Sequence, residues 1–357
     1  MVRFRLEKYA ISTDIEKAFL NVRLHKDDRD VTRFLWLSNP DNADSPLTTY
    51  RFKSVLFGAT CSPFILSATL LKHLDMNATS WVSKILKRDL YVDNILSSFR
   101  TEEEVLRYFR DTRDLMLQGG FNLRSWASNN RRLQATATEE GVLDNNKVTK
   151  VLGMLWYTET DEISYPDRDI PIFDNVTKRA ILQYTSRVYD PLGLLSPILI
   201  RAKILLQELW KEKLSWDTIL PDNIQQKWRQ LARDINTVQN TRFSRHIFCS
   251  SVADDKCLTT EDTVLHVFVD SSIQAYGAVA YLCRNHESKL IFAKSRVAPL
   301  KKLSLPKLEL MAAVIGARIA NHLQQAMEVQ EIIFWSDSQI VLHWLNTTKT
   351  MKRFIQK

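Results

Sequence analysis

Apolar and polar residues alternate along the chain with two periods. Tyr9 to Ile15, Val31 to Leu37 and Leu47 to Leu56 read as strands, the last two separated by a loop rich in Asn, Pro, Asp and Ser. Helical spacing from Pro63 to Leu74 predicts a helix, with Pro63 in its first turn and Phe64, Leu66, Leu70, Leu71 and Leu74 on its apolar face. Residues 90–99 read as a hairpin turning at Asp93-Asn94. Thr101 and Glu104 have the spacing of a capping box, and the helix they open runs to about Leu117, where Gly119-Gly120 ends it. Residues 148–165 read as a second hairpin, and 175–189, 197–214 and 222–238 as three helices. From Thr263 the order is strand, strand, strand, helix, strand, helix. The first of those helices opens at Leu305 and runs to about Ala326, with Leu308, Met311, Ala312, Ile315 and Ile319 on one face. No segment of 20–50 residues repeats. The pattern is that of an α/β (α+β) chain of two or three domains.

Composition narrows the classes. Hydrophobic residues at 45% and charged residues at 25% exclude disorder across the whole chain, because enough apolar surface exists to offset chain entropy. Cys61, Cys249, Cys257 and Cys283 form no C-x-x-C pair and have no histidines at zinc-finger spacing, so a reducing compartment is expected. The N-terminus lacks an apolar signal core, and the most apolar stretch, 191–206, is broken by Pro197 and Arg201. A cytoplasmic protein that does not span a membrane is expected. The net charge of +8 is uneven. Residues 1–135 carry 21 basic against 16 acidic side chains, 136–257 carry 16 against 17, and 258–357 carry 12 against 8. Basic outer segments suit a polyanionic partner, because each neutralised phosphate releases counterions; a merely soluble basic surface is the alternative. The basic end, 349–357, could likewise touch backbone phosphate or be a solvated terminus.

Two sets of carboxylates stand out. Asp14 ends the first strand and Asp93 sits at a hairpin tip. Alone, the first is ordinarily a turn or cap residue and the second a turn residue. Together they can meet above a sheet and hold two Mg²⁺ ions ~4 Å apart, the arrangement that clamps both oxygens of an in-line phosphoryl transfer. The second set is Asp270 at a strand end, Glu309 in the first turn of a long helix, and Asp337 after the strand Ile332 to Trp335. Helix-dipole stabilisation would account for Glu309, and an N-cap for Asp337. Three carboxylates on three separate elements also suit a two-metal nuclease. The seven histidines lack metal-ligand spacing.

Residues 9–126 resemble the palm of a reverse transcriptase. Asp14-Ile15-Glu16-Lys17-Ala18-Phe19 is similar to the family's D-x-x-x-A-F motif, residues 57–64 (FGATCSPF) to its template- and nucleotide-contacting motif, and Tyr91-Val92-Asp93-Asn94 to its Y-x-D-D box. Gly120-Phe121, residues 126–129 (WASN), residues 151–156 (VLGMLW) and above all residues 189–197 (YDPLGLLSP) resemble the Pol polyprotein of BEL/Pao long-terminal-repeat retrotransposons. The order Asp270, Glu309, Asp337 resembles ribonuclease H.

The resemblance implies a reverse-transcriptase palm over 1–135 without its fingers, a primer-grip hairpin with a helical thumb and connection region over 136–257, and a C-terminally truncated ribonuclease H-like domain over 258–357. It implies RNA-directed DNA polymerisation with hydrolysis of the RNA strand, both by two-metal phosphoryl transfer. Asp14, Asp93 and the Ile15 carbonyl would hold one Mg²⁺ (or Mn²⁺) centre, and Asp270, Glu309 and Asp337 another. Phe19 would pack under the incoming sugar and exclude a 2′-OH. Phe57, Gly58, Ser62, Pro63 and Tyr91 would contact template and nucleotide, and Leu152, Gly153 and Met154 the primer end. The implied partners are an RNA template, a DNA primer, an RNA–DNA hybrid, deoxynucleoside triphosphates and other Pol segments, in cytoplasm, a virus-like particle or the nucleus. Asn94 departs from the family's box, because an amide supplies no negative charge to a metal pair. A catalytically impaired or domesticated fragment that only binds nucleic acid is the alternative reading. No Asp-Thr/Ser-Gly triplet occurs, so no peptidase site is expected.

Overall fold

The computed structural model describes residues 1–166, 169–248 and 263–347. Cys249, Cys257 and the basic end 349–357 lie outside the described residues. Helices and strands are mixed throughout, in two compact units. One comprises residues 7–149 with 158–160, the other residues 1–6, 150–157 and 161–357.

The first unit is built on β1 (Tyr9–Ile15), whose residues are almost all buried. Its sheet contains β1, β4 (Leu90–Tyr91), β5 (Asn94–Phe99) and β6 (Leu123–Ser128), in the order β4-β5-β1-β6. A strand with neighbours on both sides needs apolar residues on its covered face, and Ile11 and Ile15 supply them. After the short helix α1 (Ala18–Asn21), β2 (Arg33–Leu37) and β3 (Leu47–Arg51) form a separate two-stranded ribbon. Helix α2 (Ser62–Met76) buries Leu66, Leu70 and Leu74 at i, i+4 spacing. Phe64 and Leu71, expected on that face, are exposed. Helices α3 (Trp81–Asp89), α4 (Glu102–Gln118) and α5 (Arg131–Glu139) complete the unit. The capping box of α4 forms as expected, with Glu104 N–H donating to Thr101 Oγ1 and Thr101 N–H to Glu104 Oε2.

The segment expected as one hairpin, most of it in the second unit, is a meander of β7 (Val148–Val151), β8 (Met154–Tyr157) and β9 (Glu162–Ser164), joined by β10 (Arg242–Ser244). Three helices, α6 (Lys178–Arg187), α7 (Ser196–Lys211) and α8 (Asp222–Gln239), precede the last sheet. That sheet contains β11 (Thr263–Ser271), β12 (Ala275–Arg284), β13 (Glu287–Val297) and β14 (Glu331–Trp335) in the order β13-β12-β11-β14. The hairpins β11-β12-β13 are antiparallel, and β14 lies parallel to β11 after the crossover helix α9 (Leu305–Met327). Leu308, Ala312, Ile315 and Ile319 of α9 pack on Leu265, Val267 and Val269. The final helix is α10 (Gln339–Asn346). Among the described residues no helix is long and apolar enough to cross a membrane.

The segment 189–197 holds the helical region of this unit to its last sheet. Asp190 accepts the N–H groups of Leu194 and Leu195 at 3.0 and 2.8 Å, fixing the turn before α7. The Leu192 carbonyl accepts the Ala293 N–H of β13 at 2.9 Å, and Leu192 joins the sheet's core. Gly193 has φ 74° and lies against the Ala293 backbone carbonyl, where a Cβ would collide. Gly193→Ala is therefore expected to lower stability by about 3 kcal/mol, from combined strain and overpacking. A shift of the urea midpoint that small surface substitutions do not reproduce would show it; an unchanged midpoint would contradict it.

Candidate metal centres

Asp14 stands near the end of the central strand of its sheet, opposite Asn94 on β5 and Arg124 on β6. The register to β6 shifts between Ser12 and Asp14, a bulge that re-aims the side chain. Between β4 and β5 the hairpin pairs Tyr91 with Asn94, so its turn residues are Val92 and Asp93 rather than the expected Asp93-Asn94. Val92 takes φ 57°, a conformation costly for a β-branched residue, which the flanking strands hold in place. The turn brings Asp93 to Asp14: the Ile15 N–H donates to the Asp93 carbonyl at 2.9 Å. The alternative role of Asp14 as a helix cap does not hold, since Lys17 is the N-cap of α1.

Burial holds the Asp14 carboxyl above the usual carboxylate range, partly offset by a hydrogen bond from Ser125, and the charges of Asp93 and Asp144 raise it further. Its Oδ1 is buried with no hydrogen-bond partner. Neighbouring Glu16 is occupied, accepting Nε of Arg124 at 3.0 Å and Nδ2 of Asn122 at 2.8 Å. The Asn94 amide donates to Asp93 Oδ1 at 2.9 Å, and so fills a lone pair that a second carboxylate would leave open. Ser125 and Asp144 gave no signal in the sequence, because sheet pairing rather than spacing brings them here.

The remaining positions expected near this site are placed as follows. Phe19 is buried and meets the exposed Phe57 ring edge-on at 5.0 Å. Gly58 has φ 83°, Ser62 is buried, and Pro63 lies in the first turn of α2. Tyr91 is exposed. Leu152 and Gly153 form the β7–β8 turn with φ 46° and 86°, and the Met154 side chain is fully buried in the second unit.

The second centre is a cluster of three carboxylates. Asp270 lies two residues beyond Phe268 on β11, and Asp337 two beyond Trp335 on β14; Phe268 and Trp335 are paired, so parallel pairing carries both acids to one end of the sheet. Glu309 reaches them from α9. One carboxylate oxygen of each residue lies within 4.8 Å of the others. Glu309 is not a first-turn residue: α9 starts at Leu305, which puts it in the second turn with only 8% of its surface exposed. Nor is Asp337 the cap of α10, because Ser338 accepts the Val341 N–H in that role. Burial pushes the Glu309 carboxyl up, Ser271 partly offsets this, and the charges of Asp270 and Asp337 add to the rise. Its Oε2 is buried without a partner. Among the described residues no Arg or Lys forms an ion pair with any of the three. An all-oxygen donor set with an orphaned buried oxygen and no counter-charge fits a hard divalent cation such as Mg²⁺ or Mn²⁺.

Two family models match the sequence. Reverse transcriptase (RNA-dependent DNA polymerase) matches residues 3–125, and the Pao retrotransposon-like RNaseH-like domain matches residues 177–338. No curated protein matches it. Among solved structures, the foamy viral protease-reverse transcriptase in complex with RNA/DNA hybrid is similar with a TM-score of 0.59 and 14% identity, over 99% of this chain and 43% of that one. The dRH form of that protein in complex with double-stranded DNA gives 0.53 and 15%, over 96% and 53%. A further complex with double-stranded DNA gives 0.53 and 13%, over 98% and 63%. The chain thus spans about half the length of these structures, and at such identities the likeness is one of fold.

Glu309→Gln should raise stability by about 1 kcal/mol at neutral pH without divalent ions, as removal of a strained carboxylate does at functional sites. The folded-state pKa lies above the unfolded one, so the ionised carboxylate opposes folding only above that range. The gain should therefore vanish as pH falls through the raised pKa. Thermal unfolding across pH reads it; a loss of stability at neutral pH would contradict it.

Proposed function

We propose that this chain, a reverse transcriptase segment joined to a Pao retrotransposon-like RNaseH-like domain, copies RNA into DNA at Asp14 and Asp93 and cuts the RNA strand of the hybrid at Asp270, Glu309 and Asp337. The observation that carries the reading is the convergence of three carboxylates from three elements to within 4.8 Å, none of them in an ion pair with Lys or Arg among the described residues. The complexes of the foamy viral protein with RNA/DNA hybrid and double-stranded DNA support the class of partner. By role, residues 1–135 would act as palm, 136–257 as primer grip and connection, and 258–357 as nuclease. Nucleic acid, deoxynucleoside triphosphates and other Pol segments would be the partners, in the cytoplasm.

Bound Mg²⁺ would activate the attacking hydroxyl or water and neutralise charge on the phosphate. The chain's own groups do the placing. Asp14, Asp93 and the Ile15 carbonyl face the growing primer end. Phe19, braced by Phe57, forms the wall that a ribose 2′-OH would strike. Gly58, Ser62, Pro63 and Tyr91 border the template and nucleotide. Leu152 and Gly153 present backbone to the primer, and Met154 contributes through its main chain because its side chain is core. In the nuclease, 2′-OH groups in the minor groove would mark the RNA strand.

The Asn94 amide at Asp93 favours a second reading, in which the polymerase centre is weakened and the chain mainly binds nucleic acid. Primer extension on an RNA template separates the two. Asn94→Asp should raise extension by roughly 10–100-fold, the scale of a changed partner at a metal ligand. Asp14→Asn should abolish it. Extension that Asp14→Asn leaves unchanged would refute the polymerase assignment. No extension by any form, with affinity for hybrid falling linearly in log–log against salt, would establish the binding-only reading.

A further inference from the structure

Beside Asp270, within the second unit, lies a cavity of about 380 Å³. Its floor is the face of β11-β12-β13 turned away from α9, with Phe268, Val279 and Tyr281 on it; residues 193–200, including the start of α7, form a wall. The walls are largely apolar, and Lys294 and Asp270 supply charge. Gly277 pairs with Asp270 across the strands and leaves the floor beside it open; a Cβ there would come within 2.9 Å of the Lys294 carbonyl. Phe268 is 42% exposed; its ring is stacked on Trp335 at 5.9 Å and 10° and meets Tyr281 edge-on at 5.9 Å and 87°, so two aromatic neighbours fix its orientation. Gly193, seated on Ala293, anchors the wall. These features make a recess with an aromatic surface, apolar sides and the Asp270 carboxylate on its lining, within the size range of small-ligand pockets, about 300–1,000 Å³.

We propose that this recess binds one unpaired nucleotide of the strand held at the carboxylate centre, the base and sugar lying against Phe268 and the phosphate at the Asp270 end. The inference rests on the reading of Asp270, Glu309 and Asp337 as a divalent-cation site. A base inside a duplex cannot enter a recess, so the occupant is a nucleotide splayed from the hybrid or in a single-stranded end flanking it; such bases are held by stacking on aromatic side chains. The centre would thereby favour cutting next to a hybrid's boundary over cutting in its interior.

The test uses the full chain, with Mn²⁺ binding followed by its paramagnetic resonance and nucleotide binding by calorimetry. The probes are 2′-deoxyadenosine 5′-monophosphate and, lacking the phosphate, 2′-deoxyadenosine. Val279→Trp, which fills the recess, should weaken monophosphate binding about tenfold or more and leave Mn²⁺ affinity unchanged. Phe268→Ser should do the same by removing the stacking surface, and serves where Val279→Trp loses its cooperative thermal transition. Asp337→Asn should weaken the monophosphate but not the nucleoside. Monophosphate affinity equal in native protein and both recess variants would overturn the proposal, as would no nucleotide binding by a protein that does bind Mn²⁺. Nucleoside binding that the recess variants abolish, in a protein that binds no Mn²⁺, would keep the recess and refute the metal reading alone.

Discussion

Carboxylates brought together out of water repel one another and lose hydration, and a fold holds them there only if its rigid elements leave no alternative. Both centres are built on that constraint. Asp14 is fixed by strands on both sides and Asp93 by a turn with Val92 in a strained conformation; Asp270 and Asp337 are carried to one place by parallel pairing, and Glu309 by a helix packed on the same sheet. The raised carboxyls of Asp14 and Glu309, each with a buried oxygen lacking a partner, are the cost of this placement. A cation bound only by the folded chain would remove that cost and so couple its affinity to fold stability.

The most distinctive stretch of sequence, 189–197, has an architectural part in this scheme. Asp190 and Gly193 are not at either carboxylate centre. They shape a turn that seats α7 against β13, and they join the helical region and the last sheet into one unit. The wall they build stands beside Asp270. This largely apolar motif works through backbone conformation and the hydrogen bonds that Asp190 accepts.

What could be read from sequence was local. β1 and the capping box of α4 follow from alternation and from Thr101-x-x-Glu104, and the carboxylates were visible because each ends a strongly apolar strand or lies in a long amphipathic helix. Besides the short α1 and β10, the elements that escaped were α3, β6 and α5. Helix α3 is short; β6 reads Leu-Arg-Ser-Trp-Ala-Ser, with Ser125 at φ 53°; α5 is rich in Thr and held by its Asn130 cap. In each, tertiary packing outweighs weak propensity. Phe64 and Leu71 lay on the helical period of α2 yet are exposed, since periodicity marks an apolar face but not what covers it. Ser125, Asp144 and Ser271 could not be found by spacing: their roles depend on which strands are neighbours. The tip of the β4–β5 hairpin shifted by one residue because Asp-Asn is a good turn pair in isolation, whereas cross-strand register put Val92 at the strained position.

Anomalous scattering from crystals of the native chain soaked in Mn²⁺ locates bound metal directly. A manganese peak is expected among the Asp270, Glu309 and Asp337 carboxylates and another between Asp14 and Asp93, the latter weaker because Asn94 holds one oxygen of Asp93. Crystals that take up Mn²⁺ at other surface sites yet show no density at Asp270, Glu309 and Asp337 would contradict the metal-centre reading.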